Sequence, residues 1–309
     1  MQSISNPLDA KISQNGSAVI IGKFDGIHLG HQKLIAELLA ASKAHDLDSV
    51  VLTFDRHPDA LLNPASCPLP LIGFEQKQEL IGSFGVDVLL TLTFDESLAE
   101  LSPEEFVQQI LVDSLKAKVV IVGEDFKFGA RGAGDVGTLH ALGQELGFEV
   151  RVVSSATIDG TKISTSTIRE ILDEGDVKLA SKMLGRNHES IGEIEHGLKI
   201  GRSIGFPTAN MSRDAEGYLP LDGVYAGWLH VGDEKYPAAH SVGINETFQA
   251  VPRLVESHVL DRDDIDLYDK TVRLEYVEFI RPAAKFNGVE DLVEAINADL
   301  VKTRQILGI

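Results

Sequence analysis

The sequence predicts two domains in series, a parallel α/β domain followed by a small antiparallel β-barrel or sandwich. Two changes of texture predict this. In the first half, short apolar runs alternate with segments of helical spacing, and in the second, short alternating segments are punctuated by Gly, Pro and Asp. A chain of 309 residues also exceeds one average domain and suits two.

Ala18–Ile21 is an apolar run entering a glycine, as a buried parallel strand does, and Leu34, Ile35, Leu38 and Leu39 then recur at helical spacing. Ser49–Phe54, Val86–Leu92, Val119–Val122 and Glu149–Val153 read as the next strands. Ser102-Pro103-Glu104-Glu105 is a helix start: serine caps, proline takes the first helical position and glutamate follows three residues after the cap. Strands interleaved with helices imply a sheet covered on both faces, with ligands at the carboxyl ends of its strands. A helix-rich stretch, Ile168–Leu184, closes this half, and Gly185-Arg186-Asn187 is the exit, dividing the chain into 1–186 and 187–309. Beyond it, Ile191–Glu195, Val224–Val231 and Thr271–Phe279 are strand-like. Val289–Ile306 is helical and offers Leu292, Ile296, Leu300 and Ile306 for packing on the barrel.

Hydrophobic residues make up 43% of the chain, enough for real cores, yet no apolar run reaches the ~18 residues of a membrane span. Met1–Gly16 lacks the basic-then-apolar pattern of a signal peptide. The single cysteine, Cys67, excludes an internal disulfide and suits a reducing compartment, so a cytoplasmic location is expected. With 47 acidic against 28 basic residues, the net charge of −19 argues against a nucleic-acid partner and reads as a solubilising surface. A phosphorylated small ligand needs only a few local donors and a metal ion. A homo-oligomer is compatible with the sequence.

The most informative segment is Gly22-Lys23-Phe24-Asp25-Gly26-Ile27-His28-Leu29-Gly30-His31, which follows a predicted strand and opens a predicted helix. Its glycines permit a tight turn and close backbone approach of a ligand, and the helix start presents unpaired N–H groups to an anion. Either histidine alone is more often a solvated or capping residue; two, three apart in such a turn, favour phosphate chemistry. Downstream, Lys162-Ile163-Ser164-Thr165-Ser166-Thr167-Ile168-Arg169 sets hydroxyls and an arginine at another helix start, which in isolation is usually a cap. Gly123-Glu124-Asp125-Phe126-Lys127-Phe128-Gly129 ends the fourth predicted strand, and its phenylalanines either border a ligand or pack.

The first segment resembles the His-x-Gly-His signature of the nucleotidyltransferase superfamily, whose domain is a Rossmann-like parallel sheet. The second resembles its Ser-Ser/Thr-x-x-x-Arg motif, and the third the Gly-x-Asp/Asn-Phe-x-Phe-Gly stretch of the FMN adenylyltransferase branch. Thr53-Phe54-Asp55-Arg56-His57-Pro58 is similar to the same branch, with Arg56 where proline is common. Lys23 and Leu29 stand where asparagine and arginine are common. The resemblance implies transfer of an adenylyl group from ATP to FMN. His28 and His31 would steady the α-phosphate, with Gly22, Phe24, Asp25 and Gly30 around the nucleotide. Ser164, Thr165 and Arg169 would hold the leaving pyrophosphate, Lys162 being a weaker candidate, and Mg²⁺ would bridge. Asp125, Phe126 and Phe128 would border the flavin. A P-loop is absent.

In the second half, Gly205-Phe206-Pro207-Thr208-Ala209-Asn210 places a hydroxyl and a carboxamide two residues apart on an extended segment, hence on one side. Alone, such a string is an ordinary turn. With Gly197, Gly201, Arg202 and Gly223-Val224-Tyr225-Ala226 around it, it resembles the riboflavin kinase domain, in which Thr208 and Asn210 would share Mg²⁺ and ATP phosphates, with Gly205 close by. Val255-Glu256-Ser257-His258-Val259-Leu260-Asp261 matches the family's strand with the catalytic base, so Glu256 would activate the ribityl 5′-hydroxyl, with His258 ranked second. Leu267-Tyr268-Asp269, Arg281-Pro282 and Lys285-Phe286 extend the match, and Arg281 would border the flavin. The chain thus resembles, over nearly its whole length, the bifunctional riboflavin kinase/FAD synthetase family. Its expected partners are riboflavin, FMN, FAD and ATP.

One departure is Val242-Gly243-Ile244-Asn245-Glu246-Thr247-Phe248, where the family usually has proline at Glu246, and the loop Gln249–Arg253 is short. Facing ATP, Glu246 would weaken the kinase and leave an adenylyltransferase with a kinase-inactive flavin-binding second domain; facing solvent, it would cost nothing. A flavin or nucleotide carrier would not need His28, His31 and Glu256 together. A nucleotidyltransferase for a nicotinamide or pantetheine phosphate would leave the second half without a purpose.

Overall fold

The computed structural model describes residues 1–196, 201, 204–243, 253–262 and 264–309, and the structural statements below concern these. Glu246 and most of the loop after it therefore lie outside the described residues. The chain forms two compact units, one of Met1–Pro70 with Phe74–Ser164, the other of Leu71–Gly73 with Thr165–Ile309.

The first unit holds β1 (Gln2–Ile4), β2 (Ser17–Ile21), α1 (Leu29–His45), β3 (Asp48–Phe54), α2 (Phe74–Ser83), β4 (Val88–Leu92), β5 (Ala117–Gly123), α3 (Val136–Leu146) and β6 (Glu149–Val153). The strands form a parallel sheet in the order β1-β4-β3-β2-β5-β6. All five residues of β2 are buried, as the apolar run requires of a central strand. Val19 and Ile21 pack with Val50, Leu52, Val120 and Val122 of the flanking strands. The predicted capping box forms in both halves: Ser102 Oγ accepts from Glu105 N–H at 3.1 Å, and Ser102 N–H donates to Glu105 Oε2 at 2.8 Å. The helix it starts continues as a π-helix over Val107–Ser114. Successive strands run outward from β2 through β3 to β4, and the chain then returns to β5 on the other side of β2. That reversal makes the carboxyl ends of β2 and β5 the switch point at which an open parallel sheet binds its ligands.

The second unit begins with α4 (Thr165–Asp173) and α5 (Val177–Leu184), which Gly175, at φ +83°, separates. The sequence assigned both helices to the first domain, with its boundary at 186/187. In the structure α5 packs on the first and last strands of the barrel, so the compact units divide between Ser164 and Thr165. The barrel comprises β7 (His188–Glu195), β8 (Ala209–Met211), β9 (Gly223–Val231), β10 (Glu234–Gly243), β11 (Leu254–Val259) and β12 (Thr271–Pro282). It closes in the order β7-β8-β11-β10-β9-β12, which decides between barrel and sandwich. α6 (Val289–Leu307) lies against β9, β10 and β12.

The barrel interior is unusually polar. His188, Ser190, His240 and Ser257 are each at most 1% exposed, and Tyr225 and Tyr276 are fully buried. His240 Nδ1 and Ser257 Oγ are 2.8 Å apart, His188 Nε2 donates to the Tyr218 carbonyl at 2.6 Å, and Ser190 Oγ and Tyr276 Oη are 3.2 Å apart. Burial pushes His188 and His240 down to about 4. Both are depressed below the unfolded value of about 6.5, so their stabilising effect is complete above that pH and is lost as pH falls toward 4, at about 3 kcal/mol each. The barrel is therefore expected to lose stability between pH 6.5 and 4.5, before most carboxylates titrate. Urea unfolding followed by the fluorescence of Trp228, the chain's one tryptophan, measures this directly. A constant midpoint across that window would contradict it.

Candidate functional site

In the first unit the predicted segment forms the turn from β2 into α1. Phe24 and Ile27 have φ of +49° and +42°, and Gly26 has +81°. A left-handed conformation is costly for a phenylalanine and more so for a β-branched isoleucine, so the turn stores strain where the ligand is expected. Packing holds it, since Phe24 and Ile27 are fully buried, and so does Gln32, whose Nε2 donates to the Ile27 carbonyl at 2.9 Å.

His28 is the N-cap of α1, its Nδ1 accepting from His31 N–H at 3.3 Å. The two imidazoles stack, with ring centroids 3.7 Å apart and planes 15° apart. Gly30 makes this possible: a Cβ there would lie 3.0 Å from His28 Cε1 and 3.1 Å from its Nδ1. His31 Nδ1 is buried without a hydrogen bond. Burial, then the neighbouring His28, Lys77 and Lys23, holds His31 well below the usual histidine range, so it is neutral at physiological pH. Asp25 is 8% exposed beside this pair in sequence, and its charge opposes the desolvation of Lys77.

At the carboxyl end of β5, Asp125 pairs with Lys162 at 2.8 Å, and this neighbour holds its carboxyl below the ordinary value. Phe126 and Phe128 stack 5.4 Å apart, and Phe128 also meets Phe106 at 5.9 Å, so Phe128 packs into the core. Ser164 ends the first unit, while Thr165 and Arg169 lie on α4.

In the second unit, β8 is inserted between β7 and β11, and its register sets Asn210 opposite Glu256. Thr208 Oγ1 donates to Glu256 Oε2 at 3.4 Å. Along β11, half-buried Glu256 and His258 alternate with buried Val255, Ser257 and Val259, so the hydroxyl, carboxamide and carboxylate share one face. His258 Nδ1 donates to the Pro207 carbonyl at 2.8 Å, and its ring meets Phe206 edge-on at 5.7 Å, so His258 braces the turn before Thr208. Gly205 has φ +90°, which favours glycine there, and Phe206 N–H closes that turn on the Gly201 carbonyl at 2.8 Å. A cavity of about 80 Å³ opens beside Thr208, walled by Ile194, Pro207, Val259, Leu267 and Tyr268. Arg281 makes a bidentate pair with Asp299 of α6, its shortest contact 2.8 Å, and lies over the Phe286 ring at 5.5 Å. Asp299 is 4% exposed, so the pair ties α6 to the end of β12.

Two lysines outside every motif make tertiary contacts from the helices of this unit. Lys77 Nζ donates to the Lys23 carbonyl at 3.1 Å, and Lys33 Nζ, two residues after His31, donates to the Ser154 carbonyl at 3.2 Å. Lys77 lies far from the turn in sequence, and the fold brings it there.

Both arrangements suit chemistry on phosphate, and a transferase with two separate centres is the class they define. Residues 10–167 match the FAD synthetase family and residues 184–307 the riboflavin kinase family. The chain is 35% identical over 295 residues to a bifunctional riboflavin kinase/FMN adenylyltransferase of Buchnera aphidicola, covering 94% of this chain and 93% of that one. It is 36% identical to the protein of the same name from Listeria monocytogenes, covering 92% and 90%. A crystal structure from Streptococcus pneumoniae, described as a macrolide-efflux protein, superposes with a TM-score of 0.88 at 32% identity over 98% of this chain and 99% of that one. Among the described residues of this chain, no helix is long and apolar enough to cross a membrane. The chain belongs to the bifunctional riboflavin kinase/FMN adenylyltransferase family.

Proposed function

We propose that the chain carries out two consecutive steps on a flavin: riboflavin and ATP give FMN and ADP in the barrel, and FMN and a second ATP give FAD and pyrophosphate in the parallel domain. The observation that carries this reading is the joint presence, in one chain of this family, of the stacked His28–His31 pair at a helix start and the Thr208–Asn210–Glu256 face.

In the first step, Glu256 takes the proton of the ribityl 5′-hydroxyl as its oxygen bonds to the γ-phosphorus and the bond to ADP breaks. Thr208 and Asn210 orient the triphosphate, with the Gly205 turn against it. In the second step, an FMN phosphate oxygen bonds to the α-phosphorus of ATP and the bond to the leaving pyrophosphate breaks, so no protein nucleophile is required. His28, His31 and the backbone of Gly22–Gly30 stabilise charge on the α-phosphate. Ser164, Thr165 and Arg169 keep their assignment to pyrophosphate. Asp125, Phe126, Phe128 and Arg281 are proposed at the flavin border, Arg281 from within its pair with Asp299 and Phe128 through the ring it stacks on.

Mg²⁺ bound with ATP supplies neutralisation of phosphate charge. Thr208 and Asn210 would offer it hard oxygen donors. We keep the functional boundary at 186/187. A cytoplasmic enzyme with small-molecule partners only, and neither nucleic acid nor membrane, agrees with one cysteine and a net charge of −19.

A chromatographic time course with riboflavin, ATP and Mg²⁺ tests the reading. FMN should appear first and FAD after it. Conversion of added FMN without conversion of riboflavin would reduce the protein to an adenylyltransferase, and no conversion of either would overturn the reading.

A further inference from the structure

Lys77 stands on α2, outside every motif named above, yet its ammonium reaches the turn that carries the histidines. The carbonyl it holds, that of Lys23, also accepts from Thr53 Oγ1 at 3.1 Å. Two elements, α2 and β3, thus grip the residue immediately before the left-handed Phe24. Lys23 is fixed at its other end too, its Nζ lying 3.0 Å from His57 Nε2. Lys77 is half-buried, and burial lowers its affinity for a proton despite the nearby carboxylates of Asp25 and Asp55. A lysine whose only task was solubility would sit in water, where its charge costs nothing. The charge of Lys77, like that of Lys23 and the stacked His28, acts on His31, whose ring lies 5.2 Å from that of Phe24.

We propose that Lys77 is a positioning residue for adenylyl transfer, holding through the Lys23 carbonyl the strained turn that presents His28 and His31, and placing a fixed positive charge beside His31. The proposal rests on the functional reading above for the reaction it serves. Its physical content is separate: a cation near an imidazole disfavours a second positive charge there. Lys77 thereby adds to burial and His28, the larger causes, in holding His31 below the usual histidine range.

The test uses the full-length chain with Lys77→Met and Lys77→Arg. In Lys77→Met, FAD formation from FMN should fall by about 10- to 100-fold, the cost of misplacing a positioned group. FMN formation from riboflavin by the same preparation should be unchanged. The His31 imidazole signal, assigned by its loss in His31→Asn, should titrate at higher pH by NMR in Lys77→Met. In Lys77→Arg it should titrate as in the unaltered chain, with most of the rate retained. An unmoved titration in Lys77→Met overturns the proposal, as does an undiminished rate. Equal impairment in Lys77→Arg with an unmoved titration reduces Lys77 to packing. If Lys77→Met does not fold, Lys77→Gln takes the same measurements. An unaltered chain that makes no FAD from FMN overturns the functional reading, and the titration still decides whether Lys77 sets the charge on His31.

Discussion

His31→Ala should lower FAD formation from FMN and ATP by about 100- to 1,000-fold, the range for removing a preorganised donor from a developing charge. FMN formation from riboflavin should remain. His31 is the cleaner of the two histidines to remove. His28 is also the cap of α1, and its loss would add about 1 kcal/mol of helix destabilisation to any catalytic effect. His31 contributes its backbone N–H to that cap, and alanine keeps the N–H. What alanine removes is the imidazole stacked at 3.7 Å, held neutral by burial and cationic neighbours, with a buried nitrogen that no described residue satisfies. Separate assays of the two reactions on one preparation decide the matter. Retention of FAD formation within about tenfold, well short of the loss expected for such a donor, would place the phosphate elsewhere.

Glu256→Gln should produce the complementary loss. Riboflavin phosphorylation should fall by about 100- to 10,000-fold, the span of general-base contributions, while added FMN is still converted to FAD. The substitution keeps the size of the side chain and an oxygen to accept from Thr208 Oγ1, now 3.4 Å away, so the face on β8 and β11 is preserved. Only the capacity to take a proton is removed. If kinase activity survives in Glu256→Gln and disappears in His258→Ala, the base is the histidine that here braces the Pro207 turn. Loss of both activities in either variant would mean that the two centres are not separate.

Much of this arrangement is legible in the sequence where local chemistry and tertiary packing agree. The run Ala18–Ile21 became β2 because a strand buried on both faces needs no alternation, and Glu149–Val153 became β6 with the predicted bounds. The Ser102 capping box formed because it is local. β1 escaped notice because a three-residue edge strand is too short for a periodic signal and is defined by its pairing with β4. β10 escaped because Pro237 and His240 interrupt its apolar pattern, and only closure of the barrel makes a buried histidine acceptable there. A glycine exit marks where a helix ends but not which core the helix joins, so α4 and α5 cluster with the barrel although the expected boundary follows them. At the candidate site, the proposed phosphate-binding residues are legible because they lie in short, contiguous strings. Lys77 was missed because it acts across more than fifty positions of sequence through a backbone carbonyl.

The order in which the barrel closes has a consequence during synthesis. β12, the last of the barrel's strands in chain order, pairs with both β7 and β9 and so supplies two seams at once. Until residues 271–282 emerge, the partly made barrel has two unpaired strand borders, and the hairpin of β9 and β10 is the main pairing it can form locally. Such borders are templates for pairing with other nascent chains. A ribosome stalled before β12 would therefore release an aggregation-prone fragment, whereas one stalled after it would release a chain whose barrel can close.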